Sequence, residues 1–579
     1  MARPLIRRRF VHVGDRVVHY RRSGKGPPVV LIHQSPQSSA GLIPLISALS
    51  TTCTVFAFDT PGCGDSDALP RRKPGIRHYA DALAATMDAL DIPKAAVFGT
   101  KTGSCIALEL ANRYPQRVSG VVLDSLPIFT RAEVADMTRI VRTDEGDEAY
   151  YLMPFAAKWD GSHLISTWSH VRDHVFWFPW YNRKAAARRD INMPPPTAMH
   201  AGIIDNFRAG DDLRVVVEAA FRYRARAAVE TLTVPATFSA REDSMLFHCL
   251  DMLPPLRRRQ RIVRLDRDMK RYWKALSSAL HGYAKGRPPA DCLPTPIPGR
   301  TTRFFADRSG GRQILVRRRG AEGDTPLVML HDGPGSSRNL APLVAAFAPG
   351  RIVLAPDLPG NGDSTPLPMA APEINDYAAE MARFLRARGP ARIDLYGRGS
   401  GAAVALSMTA HYPKLVRRLV LHDVMLLPAA ERRAIATDMT PSIAPTWDGA
   451  HLYRTWLMLR DASIYWPWYR RDRQAIRRID FDLSAAELQD RVLDVLKAWP
   501  TYGLTTQAML RYQPQTDLAK IRTPVLVVSQ TGDVFAATAA QVARLCHGES
   551  ANCAPDLSAL AAQLTQFLTR PALPPSRRA

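Results

Sequence analysis

The chain is written twice, and this constrains its fold more than any other feature. Val29-Val30-Leu31-Ile32-His33 returns 298 positions later as Leu327-Val328-Met329-Leu330-His331. The run Asp59-Thr60-Pro61-Gly62-Cys63-Gly64-Asp65-Ser66 returns at the same offset as Asp357-Leu358-Pro359-Gly360-Asn361-Gly362-Asp363-Ser364. A third match, Trp159-Asp160-Gly161-Ser162-His163-Leu164 with Trp447-Asp448-Gly449-Ala450-His451-Leu452, lies 288 positions apart, because the second copy is shorter ahead of it. A unit of that size far exceeds the ~20–50 residues of a solenoid repeat, so the pattern reads as a duplicated domain. Between the copies, Arg287-Pro288-Pro289 through Pro298-Gly299 is dense in proline, which removes backbone donors and fixes φ. The expected organisation is a first domain over 1–285, a linker over 286–299 and a second domain over 300–579. A similar proline-rich tail, Arg570-Pro571 to Pro574-Pro575, closes the chain.

Within unit one, apolar runs of strand length alternate with longer helical patterns. Pro27–Ile32, Thr54–Phe58, Ala95–Phe98 and Gly120–Leu123 read as buried strands, with helices over Tyr79–Leu90 and Cys105–Tyr114. Continuous apolar strands joined by helices imply a parallel sheet covered on both faces, an α/β class. Ahead of them, Phe10 to Tyr20, broken by Gly14-Asp15, reads as a hairpin. The aromatic-rich stretch around 155–181 separates early from late strands and reads as a helical lid.

Charge and composition exclude several functions. Lys and Arg total 77 against 54 Asp and Glu, a formal net charge of +23. The basic residues are scattered in short groups, and no helix-turn-helix, RNA-binding or zinc-finger signature accompanies them, so no specific nucleic-acid partner is expected. No run approaches the ~20 apolar residues of a bilayer span. Met1 to Arg9 is basic without the apolar core of a secretory signal. Seven cysteines, scattered and without a C-x-x-C pair, point to a reducing, cytoplasmic setting and to no metal site. Neither a Walker loop nor Rossmann glycine spacing is present, so no cofactor is expected.

Three motifs in order, found twice, give the chain a resemblance to the α/β-hydrolase superfamily. They are the strand-end His33 and His331, the Asp-x-Pro-Gly-x-Gly-Asp-Ser loops, and the strand–turn–helix units Gly99-Thr100-Lys101-Thr102-Gly103 and Gly397-Arg398-Gly399-Ser400-Gly401. The resemblance implies two tandem domains of that fold, each a mostly parallel sheet with flanking helices and a helical lid, about 128–228 and 428–515. It makes the third motif the nucleophile elbow, whose sharp turn exposes the central residue and whose next N–H helps to hold an oxyanion. That centre is Lys101 in unit one and Gly399 in unit two, neither able to do serine, cysteine or aspartate chemistry. Ser400, like Thr102, stands one residue past the apex, rotated ~100° away along the helix.

The same resemblance puts the acid after a late strand, at Asp243 and Asp533. Its histidine belongs in the loop before the last helix. Arg264 to Met269 offers none, and His547 precedes the second such loop, expected over Glu549 to Pro555. A Ser-His-Asp mechanism is therefore not expected. His33 and Gln34, with His331, sit where the family builds the oxyanion side of the pocket. Asp332, following His331, would repel an oxyanion.

What remains is Lys101, lowered in pKa at a helix N-terminus and able to act as base, as imine-forming nucleophile or as carboxylate anchor. Asp124, at a neighbouring strand end, is its candidate partner. In the lid, His163 and Trp168, repeated as His451 and Trp456, lie on one helix face that either lines the site or packs within the lid. The candidate catalytic set is Lys101, Asp124, His163 and Asp243. The binding set is His33, Gln34, Thr102, Trp168, His331, Ser400, His451, Trp456 and Asp533. Two functions follow: an atypical enzyme acting through unit one on a small anionic or carbonyl-bearing molecule, or a non-catalytic binding or scaffold protein.

Overall fold

The computed structural model describes residues 4–142, 156–291, 297, 299–320, 325–347, 351–479, 483–554 and 556–571. Parts of the expected linker and lid, and the tail from 572, lie outside them. The chain divides into two compact units, 1–295 with 445–449 and 296–444 with 450–579.

Unit one contains β1 (Arg7–Val13), β2 (Arg16–Ser23), β3 (Pro28–Ile32), β4 (Thr54–Phe58), β5 (Ala95–Thr100), β6 (Val118–Asp124), β7 (Ala236–Arg241) and β8 (Gln260–Leu265). They form one sheet in the order β1-β2-β4-β3-β5-β6-β7-β8. The β1–β2 hairpin and the β2–β4 pair are antiparallel, and the other pairs are parallel. Unit two repeats this with β9 (Thr302–Asp307), β10 (Gln313–Arg319), β11 (Leu327–Leu330), β12 (Val353–Pro356), β13 (Ile393–Arg398), β14 (Val416–His422), β15 (Val525–Ser529) and β16 (Glu549–Asn552), in the same order.

The two-residue side-chain period divides the core cleanly. Val30, Ile32, Phe56, Val97 and Val121 face one apolar layer, while Val29, Leu31, Val55, Ala96 and Val122 face the other. Unit two sorts Val328, Leu330 and Leu395 from Leu327, Met329 and Tyr396 in the same way. Five α-helices between β6 and β7 and five between β14 and β15 are described, the first group including Ser162–Phe176 and Pro196–Ala209.

One expectation fails. Glu549–Asn552, read as part of a loop, is the outermost strand and pairs parallel with β15. It is short, polar and mostly exposed, so it carries none of the apolar signal that marks central strands.

One packing device recurs in both units. Ser38 Oγ donates to Asp205 at 3.1 Å, and the Arg208 guanidinium pairs with Asp65, pinning helix Pro196–Ala209 to the Asp-x-Pro-Gly loop. In unit two Ser336 donates to Asp494, and Lys497 bridges Asp494 at 2.8 Å and Asp363 at 2.7 Å.

Candidate functional site

The site begins at a turn that both units make alike. Lys101 adopts φ 49, ψ −117, and Gly399 adopts φ 53, ψ −118, each just ahead of a helix, Thr102–Arg113 or Ser400–His411. Close approach explains the flanking glycines: a Cβ on Gly99 would meet the Gly103 carbonyl, and one on Gly103 the carbonyls of Ile32 and His33. Gly397 and Gly401 are confined in the same way. The apex N–H of Lys101 donates to the Asp124 carbonyl at 3.0 Å, and that of Gly399 to the His422 carbonyl at 3.0 Å. Gly399 takes a positive φ without steric cost, whereas Lys101 holds it at an expense of ~1–3 kcal/mol. Strain of this kind persists where the surrounding fold over-determines the turn.

Above the unit-one apex is a cavity of about 360 Å³, within the usual range for small-molecule sites. Lys101, Thr102 and Gln34 line it, together with Arg189, Arg214 and Asn206. Its remaining walls are largely apolar, Phe129, Phe178, Trp180 and Val217 among them, and among the described residues no carboxylate lines it. Among the described residues no hydrogen bond or ion pair engages the Lys101 ammonium. Burial, with Arg189 next in weight, brings its pKa down to about 8, against the opposing pull of Asp124.

Helix Ser162–Phe176 supplies two histidines that the sequence reading passed over. His170 and His174, one turn apart on helix Ser162–Phe176, both line the cavity. Their Nε2 atoms approach to 3.1 Å, and His174 stacks flat on Trp180 at 4.6 Å and 12°. Burial brings His170 down to about 4 and holds His174 well below its ordinary value, with His170 and Lys101 adding to the latter. At neutral pH both rings are neutral, so one Nε2 donates its hydrogen to the other. Arg189 Nη1 donates to the carbonyls of His174 and Val175 at 3.1 and 3.4 Å, which fixes its guanidinium at the rim.

Comparison with known proteins agrees with the fold of the two units. A family model described as alpha/beta hydrolase fold matches residues 27–164, and one described as alpha/beta hydrolase family matches 327–569. The chain belongs to the α/β-hydrolase superfamily. An uncharacterized protein of Mycobacterium tuberculosis is 30% identical over 153 residues, 26% of this chain and 44% of its own. The 2-(acetamidomethylene)succinate hydrolase of Mesorhizobium japonicum is 28% identical over 142 residues, 24% of this chain and 50% of its own. The chain thus spans half or less of the length of these relatives. The crystal structure of epoxide hydrolase A from Mycobacterium thermoresistibile covers 49% of this chain and 100% of its own, at 18% identity and a TM-score of 0.37.

Apart from Lys101, Thr102 and Gln34, the candidate residues of unit one in this α/β-hydrolase fold stand away from the cavity lining. Asp124 ends β6 buried, accepting hydrogen bonds from Thr100 Oγ1 and Tyr272 OH at 2.9 Å and from Ser239 Oγ at 3.1 Å. Burial raises its pKa despite those donors and the nearby Lys101. Asp243, just past β7, is clasped by Arg241 through Nε at 2.5 Å and Nη2 at 2.8 Å. His163 is buried against Phe207 and accepts the Lys158 N–H at Nδ1, at 3.1 Å. Trp168 is fully buried. His33 spends both nitrogens on the fold: Nδ1 donates to the Gln34 carbonyl at 2.8 Å, and Nε2 accepts the Thr60 N–H at 3.0 Å. Thr102 Oγ1 accepts the Ser35 N–H at 2.6 Å.

The superfamily site of unit two is closed on itself. His331 repeats the bonds of His33, to the Asp332 carbonyl at 2.7 Å and from the Leu358 N–H at 2.9 Å. Asp332 Oδ1 accepts the N–H groups of Gly333 and Ser400, and Ser400 Oγ accepts the Gly333 N–H as well, all at 2.8 Å. Arg398 pairs with Asp423 at 3.1 Å, and Asp533 with Arg477 at 2.5 Å. His451 and Trp456 are buried. No helix among the described residues is long and apolar enough to cross a membrane.

His19, Asp59 and Asp65 are the group of metal-capable side chains that lie together among the described residues. They serve the fold: His19 pairs with Asp59 at 2.8 Å, Asp59 accepts the N–H groups of Ser39 and Asp65, and Asp65 pairs with Arg208.

Proposed function

We propose that unit one is the working half, an atypical α/β-hydrolase-fold enzyme that admits a small, largely apolar organic anion or carbonyl compound and acts through Lys101 without serine attack. The observation that carries this reading is the strained Lys101 at the apex, facing a cavity lined by cations and amides and, among the described residues, by no carboxylate. Such a lining favours a negatively charged guest, and a charge-assisted hydrogen bond adds about 1.5–3 kcal/mol to its binding. The succinate derivative in one relative's name is a guest of that chemistry. With an amine pKa near 8, a useful fraction of Lys101 is neutral at physiological pH and able to take a proton or attack a carbonyl. The helices over the cavity act as its lid.

Unit two favours the second reading, a non-catalytic domain, for a specific reason: its own Asp332 takes the N–H groups that an oxyanion would need. It serves as a structural or regulatory half. The buried free thiols Cys53, Cys63 and Cys105 suit a reducing, cytoplasmic setting.

The test is calorimetric titration of the full chain with 3-phenylpropanoate, an apolar carboxylate, in wild type and Lys101→Met. Binding that weakens ~10–100-fold in the variant supports the reading, in line with the loss of one charged hydrogen bond. Equal affinity, or no binding in either, removes it.

A further inference from the structure

Lys101 and Arg189 are two of the three cations, with Arg214, that line one cavity, and among the described residues no anion lines it. A plain carboxylate satisfies one of them. The second then calls for another group that an amine engages. Guanidinium prefers carboxylate, which it grips through parallel N–H groups, whereas an amine is distinguished by its lone pair. Arg189 is fixed by the His174 and Val175 carbonyls and Lys101 by its turn, so the pair presents an anion anchor beside a nucleophile.

We infer that Lys101 forms an imine with the carbonyl of an apolar oxo-carboxylate whose carboxylate rests on Arg189. The inference rests on the reading of the unit-one cavity proposed above. The amine is kept reactive by burial and by its guanidinium neighbour, the arrangement that frees lysines for Schiff-base chemistry elsewhere. The step balances without an oxidant. The Nζ lone pair adds to the carbonyl carbon, and the carbonyl π pair moves onto oxygen. Nitrogen gives up its two protons in turn, and oxygen takes up two and leaves as water, so one C–O double bond is exchanged for one C–N double bond. The neutral His170–His174 pair lines the same cavity and offers one donor and one acceptor for those proton transfers. Phe129, Phe178 and Trp180 supply an apolar surround that favours loss of water.

Reductive trapping tests this on the full chain. Phenylpyruvate is incubated with the protein and cyanoborohydride, and adducts are located by peptide mass mapping. The expected result is one reduced adduct per chain, at Lys101, absent with 3-phenylpropanoate (which has no ketone) and absent in Lys101→Arg, which keeps the charge but not the nucleophile. No adduct at Lys101, or labelling unchanged in Lys101→Arg, overturns the inference. Its failure is separable from that of the cavity reading: if 3-phenylpropanoate still binds in a Lys101-dependent way, only the imine falls, and if it does not, both fall.

Discussion

Asp332 Oδ1 accepts the backbone N–H of Ser400 at 2.8 Å, so the donor that would hold an oxyanion at the unit-two elbow is spent on a side chain of the same unit. A Cβ added at Gly399 would run into that carboxylate. The aspartate therefore fills the space that an apex side chain needs, and Gly399 is the residue that leaves it room. Unit one has Gln34 in place of Asp332 and can carry a long side chain at its apex.

This coupling predicts a non-additive pair. Gly399→Ala adds both the clash and the positive-φ cost, and should destabilise unit two by ~2–4 kcal/mol. In the background of Asp332→Gly the same change should cost only the backbone share, ~1 kcal/mol. Hydrogen exchange of helix Ser400–His411 reads both; equal costs in the two backgrounds would remove the argument.

A fluorophosphonate probe should label neither unit. Ser400 is fully buried, its Oγ accepts the Gly333 N–H, and among the described residues no imidazole is hydrogen-bonded to it. Restoring serine at 101 should not create an esterase by itself, because Asp266-Arg267-Asp268, between β8 and the last helix of unit one, holds no histidine. Labelling that vanishes in Ser400→Ala would show that the displaced hydroxyl reacts.

Lys101 should make stability depend on pH in a defined window. Its folded pKa of about 8 lies below the ordinary 10.5, through burial first, then the repulsion of Arg189 and Arg241, against Asp124 and Asp243; His174 is the titratable neighbour on the lid side. Below pH 8 both states hold the proton and the penalty is constant. Between about 8 and 10.5 the unfolded chain binds more protons, so stability rises with pH. Lys101→Met should therefore melt higher than wild type at pH 7, with the gap closing as pH approaches 10.5. A gap independent of pH would contradict the lowered value.

The repeated clamp predicts parallel losses. Arg208→Met removes the cation that Asp65 and Asp205 share, and Lys497→Met removes the one that Asp363 and Asp494 share, with Arg338 still 3.6 Å from Asp494. Each should cost ~3–5 kcal/mol, the range for breaking one side of a buried pair. Denaturant unfolding monitored in each unit would show it; a change under 1 kcal/mol in both would mean that the clamp is solvated.

Central strands were legible because their burial is continuous: Thr54–Phe58 has the same limits in sequence and structure, as any run of five fully buried residues invites. The elbows were legible through glycines that backbone contact makes obligatory. The edge strands β8 and β16 were not, since Gln260-Arg261 and Glu549-Ser550 look like loop residues when one side of a strand faces water. The lid misled for a different reason. His163 stands out in the sequence because it recurs as His451, whereas the cavity is lined by His170 and His174, whose counterparts at the 288-residue offset are Met458 and Ala462. What the copies share is largely what holds the fold, and what differs between them lies in the cavity.

That contrast gives the last prediction. His163 receives the Lys158 N–H and packs on Phe207 away from the cavity lining, so His163→Phe should lower stability by ~1–2 kcal/mol through a lost buried hydrogen bond. It should leave the rate of phenylpyruvate trapping at Lys101 within about twofold, since it removes no group facing the cavity. His174→Phe keeps a flat ring against Trp180 but deletes the Nε2 contact with His170. The trapping rate should then fall by ~10²-fold, the lower end for losing a positioned acid–base group, with 3-phenylpropanoate affinity little changed. Because both rings are held neutral, the effect should persist from pH 6 to 8 rather than follow an ordinary histidine titration. If His163→Phe slows trapping and His174→Phe does not, the acid–base role belongs to the shared lid motif and not to the pair found in unit one.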